Sequence, residues 1–285
     1  MARMDKARKL WEMAADFFGT RTVEGPLLYF HFTYVRLIFG RLARMLHIRA
    51  QSNLAGISGR EFIIKNRVGY FAVNPGNDSF TKSLPNFEST SQNWLATSND
   101  KDIFLDIGAN IGFYSILAIN YYGYRQAYAF EPNPETFSRL QKNFSLNKLG
   151  DKARALNFGL GKENGVAELA VKKVHTGASS MAETTGRNFD ASLAVKVQTF
   201  DSFAAETKLD TKRISFIKLD VEGYEYETLL GMKQTLSGLQ PDTYMMIEIH
   251  PSSSKTKETR DLLNGAGFQQ IKATPTHNFL YRKAV

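Results

Sequence analysis

From about residue 100 onward, short apolar runs alternate with longer stretches in which apolar residues recur every three or four positions. Runs of the first kind suit buried strands, and the second kind suits amphipathic helices. The pattern predicts strands over 103–107, 127–130, 154–158, near 166–171, 194–199, 215–219, 243–249, near 268–272 and 278–282. It predicts helices over 112–122, 134–146, 223–237 and 256–265, and a Gly/Ser/Thr-rich loop from His175 to Arg187. Such alternation implies an α/β fold with a mostly parallel, doubly wound sheet. Ligands of such sheets sit beyond the carboxyl ends of the strands, where the connections diverge.

Upstream, residues 61–64 and 68–73 predict a short hairpin around "KNRVG", followed by polar loop and short helix. Leu27 to Ile48 is the most apolar segment, yet Arg36, Arg41 and Arg44 break it. A bilayer span wants about 20 nearly uncharged residues, so this segment reads instead as a basic amphipathic helix. It either lies on a membrane surface or, as amphipathic helices more commonly do, packs its apolar face against protein with the arginines solvated. The expected organisation is a basic helical extension over 1–60 and a Rossmann-like domain over 61–285.

Charge sharpens that division. Residues 1–60 hold ten Lys/Arg against four Asp/Glu, so +6 of the net +8 lies there. The remainder is nearly neutral, which disfavours a nucleic-acid substrate for the main domain. Cysteine is absent, which excludes disulfides, thiolate metal sites and a cysteine nucleophile and fits a reducing, cytoplasmic compartment. Glu12 and Asp16 interrupt what would be the apolar core of a signal peptide, so none is expected at the start.

The candidate chemistry begins at "FLDIGANIGFYS", residues 104–115. A dinucleotide turn would read G-x-G-x-x-G, but Asn110 and Phe113 stand where its second and third glycines belong. Asp106 at the strand end would also repel a phosphate. An acidic strand end facing a glycine turn suits a cationic ligand without phosphate, and S-adenosylmethionine carries an ammonium and a sulfonium. Glu131, 25 residues further on, ends the next strand, where a carboxylate can accept from both ribose hydroxyls. The alternative is that Asp106 and Glu131 cap the helices that follow them, a role compatible with ligand binding.

From about Glu88 to Tyr281 the chain resembles the FkbM family of S-adenosylmethionine-dependent methyltransferases. The resemblance rests on "LDIGANIG" (105–112), "AFEPNPETFSRLQKNFSLN" (129–147), "ALNFGLG" (155–161), "VQTFDSF" (197–203), "FIKLDVEGYEYETLLGM" (216–232) and "MMIEIH" (245–250). Small departures are Phe200 where the family more often has Leu and Tyr224 where it has Ala. The resemblance implies a class I, Rossmann-like methyltransferase acting on a hydroxyl of a sugar, glycan or secondary metabolite. It implies that Asp106, Gly108, Asn110 and Gly112 surround the methionine end of the cofactor, with Glu131 on the ribose and Asn133 near it. Asn157, Phe158 and Gly159 would lie by the adenine, and Glu88 would either reach the ammonium or be an exposed helix charge.

Methyl transfer needs an aligned acceptor and a group that takes its proton. Candidates are Asp220, Glu222, Glu248 and His250 at the ends of strands 215–219 and 243–249, which adjacent parallel strands would bring into one cleft. Either Asp220 or His250 is the general base, or Asp220 and Glu222 hold a divalent ion such as magnesium; the metal-free version is favoured. Glu225 reads as a structural first-turn carboxylate, and Lys218 as half of a buried pair. The acceptor would be walled by His175, Ser179, Ser180 and Arg187, and by the segment at His277 and Asn278. A non-catalytic scaffold working through the basic arm is the competing class, and the number of carboxylates retained in one cleft argues against it.

Overall fold

The computed structural model describes residues 21–22, 61–74, 78–85, 87–172, 179–181, 189–249 and 253–284. The chain divides into two compact units, Met1–Phe87 and Glu88–Val285. In the first, β2 (Phe62–Lys65) and β3 (Tyr70–Val73) form the expected hairpin. Asn66 shapes its turn, with Oδ1 accepting from the backbone N–H of Val68 at 2.9 Å and of Gly69 at 3.3 Å. A two-residue strand, β1 (Arg21–Thr22), adds antiparallel to β2. The remaining residues of the predicted helical extension lie outside the described residues. The hairpin, expected in the larger domain, belongs to the first unit.

The second unit is built on a seven-stranded sheet of order β12-β13-β11-β10-β4-β5-β6. The strands are β4 (Ile103–Ile107), β5 (Gln126–Phe130), β6 (Ala153–Leu156), β10 (Ile214–Leu219), β11 (Tyr244–Glu248), β12 (Phe268–Ala273) and β13 (Asn278–Lys283). Pairings from β6 through to β11 are parallel; β13 runs antiparallel to both β11 and β12. This is the mostly parallel, doubly wound sheet that the alternation predicts. After β4 the chain winds through β5 and β6 to one side and later returns through β10 and β11 on the other. The switch in direction lies between the carboxyl ends of β4 and β10, where such folds place their ligands.

Every residue of β4 and β10 is buried, the near-continuous apolar run of a strand covered on both faces. Ile103, Leu105, Ile107, Ile217 and Leu219 join the main core cluster on one face. On the other, the Phe104 ring stacks on Phe216 and meets Tyr124 edge-on, and Phe216 stacks on Tyr244. Asp106 and Lys218 are register partners on this second face, so two charges stand where the pattern calls for apolar side chains. The strands are also clamped at their amino ends, where Arg213 donates from Nε and Nη2 to the two oxygens of Asp102, at 2.8 and 2.9 Å.

Helices α1 (Phe113–Asn120) and α2 (Pro134–Leu146) follow β4 and β5. Three features depart from the predicted elements. Helix α3 (Phe200–Thr207), capped by Thr199 accepting from Ser202 N–H, occupies a stretch with no predicted helix. The predicted helix 223–237 is two helices, α4 (Glu225–Leu230) and α5 (Lys233–Gly238), interrupted at Gly231. A Cβ at Gly231 would lie 2.0 Å from the Gly161 carbonyl oxygen, so the break lets the backbone pass against another chain segment. The strands β7 (Gly159–Leu160), β8 (Gly165–Val171) and β9 (Ala191–Gln198) form a separate three-stranded sheet of order β7-β9-β8. Helix α6 (Thr256–Gly265) then leads into β12.

Candidate active site

At the switch point the turn after β4 is held by three hydrogen bonds. Gly108 and Ala109 N–H donate to the Phe130 carbonyl at 3.1 and 2.9 Å, and the Asn143 amide donates to Ile111 O at 2.8 Å. Gly108, Asn110 and Gly112 all have positive φ, which glycine adopts without strain. A Cβ at Gly108 would stand 1.9 Å from the Asp220 carbonyl oxygen, and one at Gly112 would stand 2.5 Å from Leu140 Cδ1. The glycines are therefore required by close packing against the end of β10 and against α2.

Glu131, buried at the end of β5, accepts from the N–H of Asn110 at Oε2 and of Asn133 at Oε1, both at 2.9 Å. Two backbone donors fix the plane of its carboxylate. Asn133 caps α2, its Oδ1 accepting from Glu135 N–H at 3.0 Å. Asp106 is fully buried: Oδ2 accepts from Ser115 N–H at 3.0 Å and from Ser115 Oγ at 2.6 Å, capping α1. Its Oδ1 has no hydrogen-bond partner and faces Lys218 Nζ at 3.8 Å. Burial raises the Asp106 pKa from its ordinary value, against the lowering pull of Lys218 and Ser115.

Lys218 connects the turn to the next strand end. Its ammonium donates to the Gly108 carbonyl at 2.8 Å and lies 3.2 Å from Asp220 Oδ2, with the Tyr114 ring centroid 5.7 Å away. The Tyr114 phenol donates to Glu88 Oε2 at 2.8 Å, and burial, then Glu88, hold its pKa well above the ordinary phenol value. Tyr114 is a site residue that the residue pattern alone misses: in a helix buried almost throughout it looks like core.

After β10 the chain turns through Asp220, Val221, Glu222 and Gly223, the last two with φ of 54° and 101°. Glu225 holds this turn, accepting from Gly223 N–H at 2.9 Å and Val221 N–H at 3.4 Å, as a structural first-turn carboxylate should. Burial pushes its pKa up to about 7. Glu248, at the end of β11, is pushed up to about 9 by burial and then by Asp220, Glu222 and Glu88, with Lys218 opposing. Glu88, Asp220 and Glu222 are thus near enough to Glu248 to raise its pKa, and Lys218 is near enough to oppose them. Asn278 is the register partner of Glu248, and Ile249 N–H donates to the His277 carbonyl at 3.0 Å, so this segment runs beside the end of β11.

Other predicted residues sit differently. The Phe158 ring packs against Phe130 and Phe203 inside the core cluster, so its side chain faces away from solvent. Gly159 lies beneath Met181, whose Cε would be 2.8 Å from an added Cβ, and Asn157 Nδ2 donates to Glu131 O at 2.9 Å. Ser180 Oγ donates to the Glu222 carbonyl at 2.6 Å, pinning the middle of the long β8–β9 connection beside the turn. His250, His175 and Arg187 lie outside the described residues. Among the described residues no three His, Asp or Glu side chains are grouped as metal ligands, so the magnesium alternative gains no support from the geometry.

The donor set suits S-adenosylmethionine. It offers a carboxylate of fixed orientation at Glu131, a tight turn that leaves no room for side chains at Gly108 and Gly112, and a surplus of acidic groups beside them. A family model described as the methyltransferase FkbM domain matches residues 106–269. The chain belongs to this family. Similar proteins include the hexuronic acid methyltransferase AglP of Haloferax volcanii, 27% identical over 172 residues, covering 60% of this chain and 65% of that protein. Another is Methyltransferase 1 of Beauveria bassiana, 26% identical over 190 residues, covering 61% of this chain and 75% of that protein. The match to AglP therefore spans just under two thirds of that protein's length. Among solved structures, the FkbM methyltransferase of Methylobacillus flagellatus aligns at TM-score 0.45 and 18% identity, over 66% of this chain and 47% of that one.

Proposed function

We propose that this chain is an S-adenosylmethionine-dependent O-methyltransferase whose acceptor is a hydroxyl of a sugar, glycan or related small metabolite. The observation that carries the reading is the contact of Gly108 with Asp220, so close that only a hydrogen fits between the cofactor turn and the strand end bearing the candidate base. Membership of the FkbM family supports the class of reaction, and the name of the haloarchaeal relative supports a saccharide acceptor.

In this reading Glu131 holds the ribose, and the turn from Gly108 to Gly112 holds the methionine end. The bound cofactor supplies a methyl group on a sulfonium, whose bond to sulfur breaks as the acceptor oxygen bonds the methyl carbon. Asp220, with its side chain 30% exposed to the cleft, takes the acceptor's hydroxyl proton. Glu248, protonated at neutral pH, donates a hydrogen bond and orients the acceptor instead of competing as a base. Glu222 and the segment at His277 and Asn278 form the acceptor's wall.

Removing a general base typically costs about 10²- to 10⁴-fold in rate. Asp220→Asn should therefore lose turnover on that scale while S-adenosylhomocysteine binding, measured by titration calorimetry, changes less than about threefold. Loss of cofactor binding in this variant would move Asp220 into the cofactor site and remove it as the base. The scaffold alternative predicts no S-adenosylhomocysteine binding in the wild type.

A further inference from the structure

Lys218 is buried to 4% exposure in the middle strand of the sheet, one residue before its end. A buried ion pair rarely stabilises a fold more than well-packed apolar side chains of similar volume, so stability alone gives little reason for a lysine here. Its neighbours give a better one. The register partner on β4 is Asp106 and that on β11 is Met246, and the side chain ends between Gly108 O and Asp220 Oδ2. Asp106 Oδ1, unpartnered and fully buried, faces the same ammonium from behind.

We propose that Lys218 is a positioning residue for methyl transfer: its ammonium ties the Gly108 carbonyl of the cofactor turn to the Asp220 carboxylate, and so fixes the base relative to the methyl donor. The assignment rests on the reading of the cleft as a methyl-transfer site with Asp220 as base. One ammonium has three N–H donors on a single centre. Two are spent on groups 112 residues apart in sequence, Gly108 and Asp220, and Asp106 holds the cation back from the cleft. The groups facing Lys218 are Asp106 on β4, Asp220 beyond its own strand, Glu248 on β11, Tyr114 on α1 and Glu88. Burial alone would pull its pKa down, but Asp220, Asp106 and Glu88 together hold it above the ordinary lysine value, so the tether stays charged at neutral pH.

The test compares wild type, Lys218→Met and Lys218→Gln, the second keeping an N–H donor for Gly108 without the charge. Methyl transfer from radiolabelled S-adenosylmethionine is measured on the methyl glycosides of glucose, glucosamine and glucuronic acid, and S-adenosylhomocysteine binding by calorimetry. A misplacement of about 1 Å costs about 10²-fold in rate. Lys218→Met should lose that much in kcat, while acceptor KM and S-adenosylhomocysteine affinity move less than about threefold. Wild-type kcat in Lys218→Met, with only the melting temperature lowered, would overturn the proposal. Failure of both variants to fold would do the same by making Lys218 a structural residue. A wild type that transfers to none of the probes overturns the proposed function and this assignment together; an active wild type with an unaffected Lys218→Met overturns only the assignment.

Discussion

Glu248 keeps its proton through neutral pH because burial and three neighbouring carboxylates oppose its ionisation. The folded state then binds a proton that the unfolded chain releases near pH 4.5, so stability falls as pH rises from there until about 9. Glu225 behaves in the same way, but its contribution ends near pH 7. Between pH 7 and 9 the slope from these two groups therefore belongs to Glu248 alone. Glu248→Gln should flatten the fall in thermal midpoint over that range and raise the midpoint at pH 9 by several degrees, as scanning calorimetry would read. The strand-end carboxylates were legible in the sequence because a charged residue closing an apolar run has few structural uses. Tyr114 was not, because its partner Glu88 lies 26 residues away and only the fold brings them together. The reach of Lys218 to a carbonyl in the turn after another strand was hidden for the same reason.

The predicted elements match the structure where periodicity is long and uninterrupted, as in α2, whose bounds agree with 134–146, and in β4 and α6. They fail where one tertiary contact overrides the pattern. Apolar spacing alone would run one helix through residue 231, but the Gly161 carbonyl occupies the space that a side chain there would need. Gly231→Ala should destabilise the protein by about 3 kcal/mol in urea unfolding, the scale of an overpacked core. Gly238→Ala, at the end of α5 where a Cβ meets nothing within 4 Å, should be neutral or stabilising by up to about 1 kcal/mol. Helix α3 escaped notice because it is short and is defined by its Thr199 cap as much as by periodicity. The separate β7-β9-β8 sheet could not be read at all, since strand runs do not say which sheet they join.

At the scale of the molecule, the charge asymmetry and the sheet topology make separate predictions. If the Leu27–Ile48 segment packs its apolar face against protein, as amphipathic helices more commonly do, the full chain should sediment with phosphatidylserine vesicles no more than a variant carrying Arg36→Glu, Arg41→Glu and Arg44→Glu. Clear binding by the full chain and its loss in the variant would establish the membrane-surface reading instead. No helix among the described residues is long and apolar enough to cross a membrane. A base-catalysed transfer through Asp220 predicts full activity after exhaustive chelation, and loss of activity restored by magnesium would establish the ion.

The position of β13 between β11 and β12 has a consequence for how the chain is made. The ribosome delivers β12 first, yet β12 has no neighbour in the sheet until β13 slots in beside it. Until residue 283 clears the exit tunnel, β11 presents an unpaired edge, and the space for Leu280 and Tyr281 in the core stays empty. Such edges pair readily with other chains. Nascent chains arrested before residue 278 should therefore be held by chaperones or aggregate, however complete their cofactor turn already is.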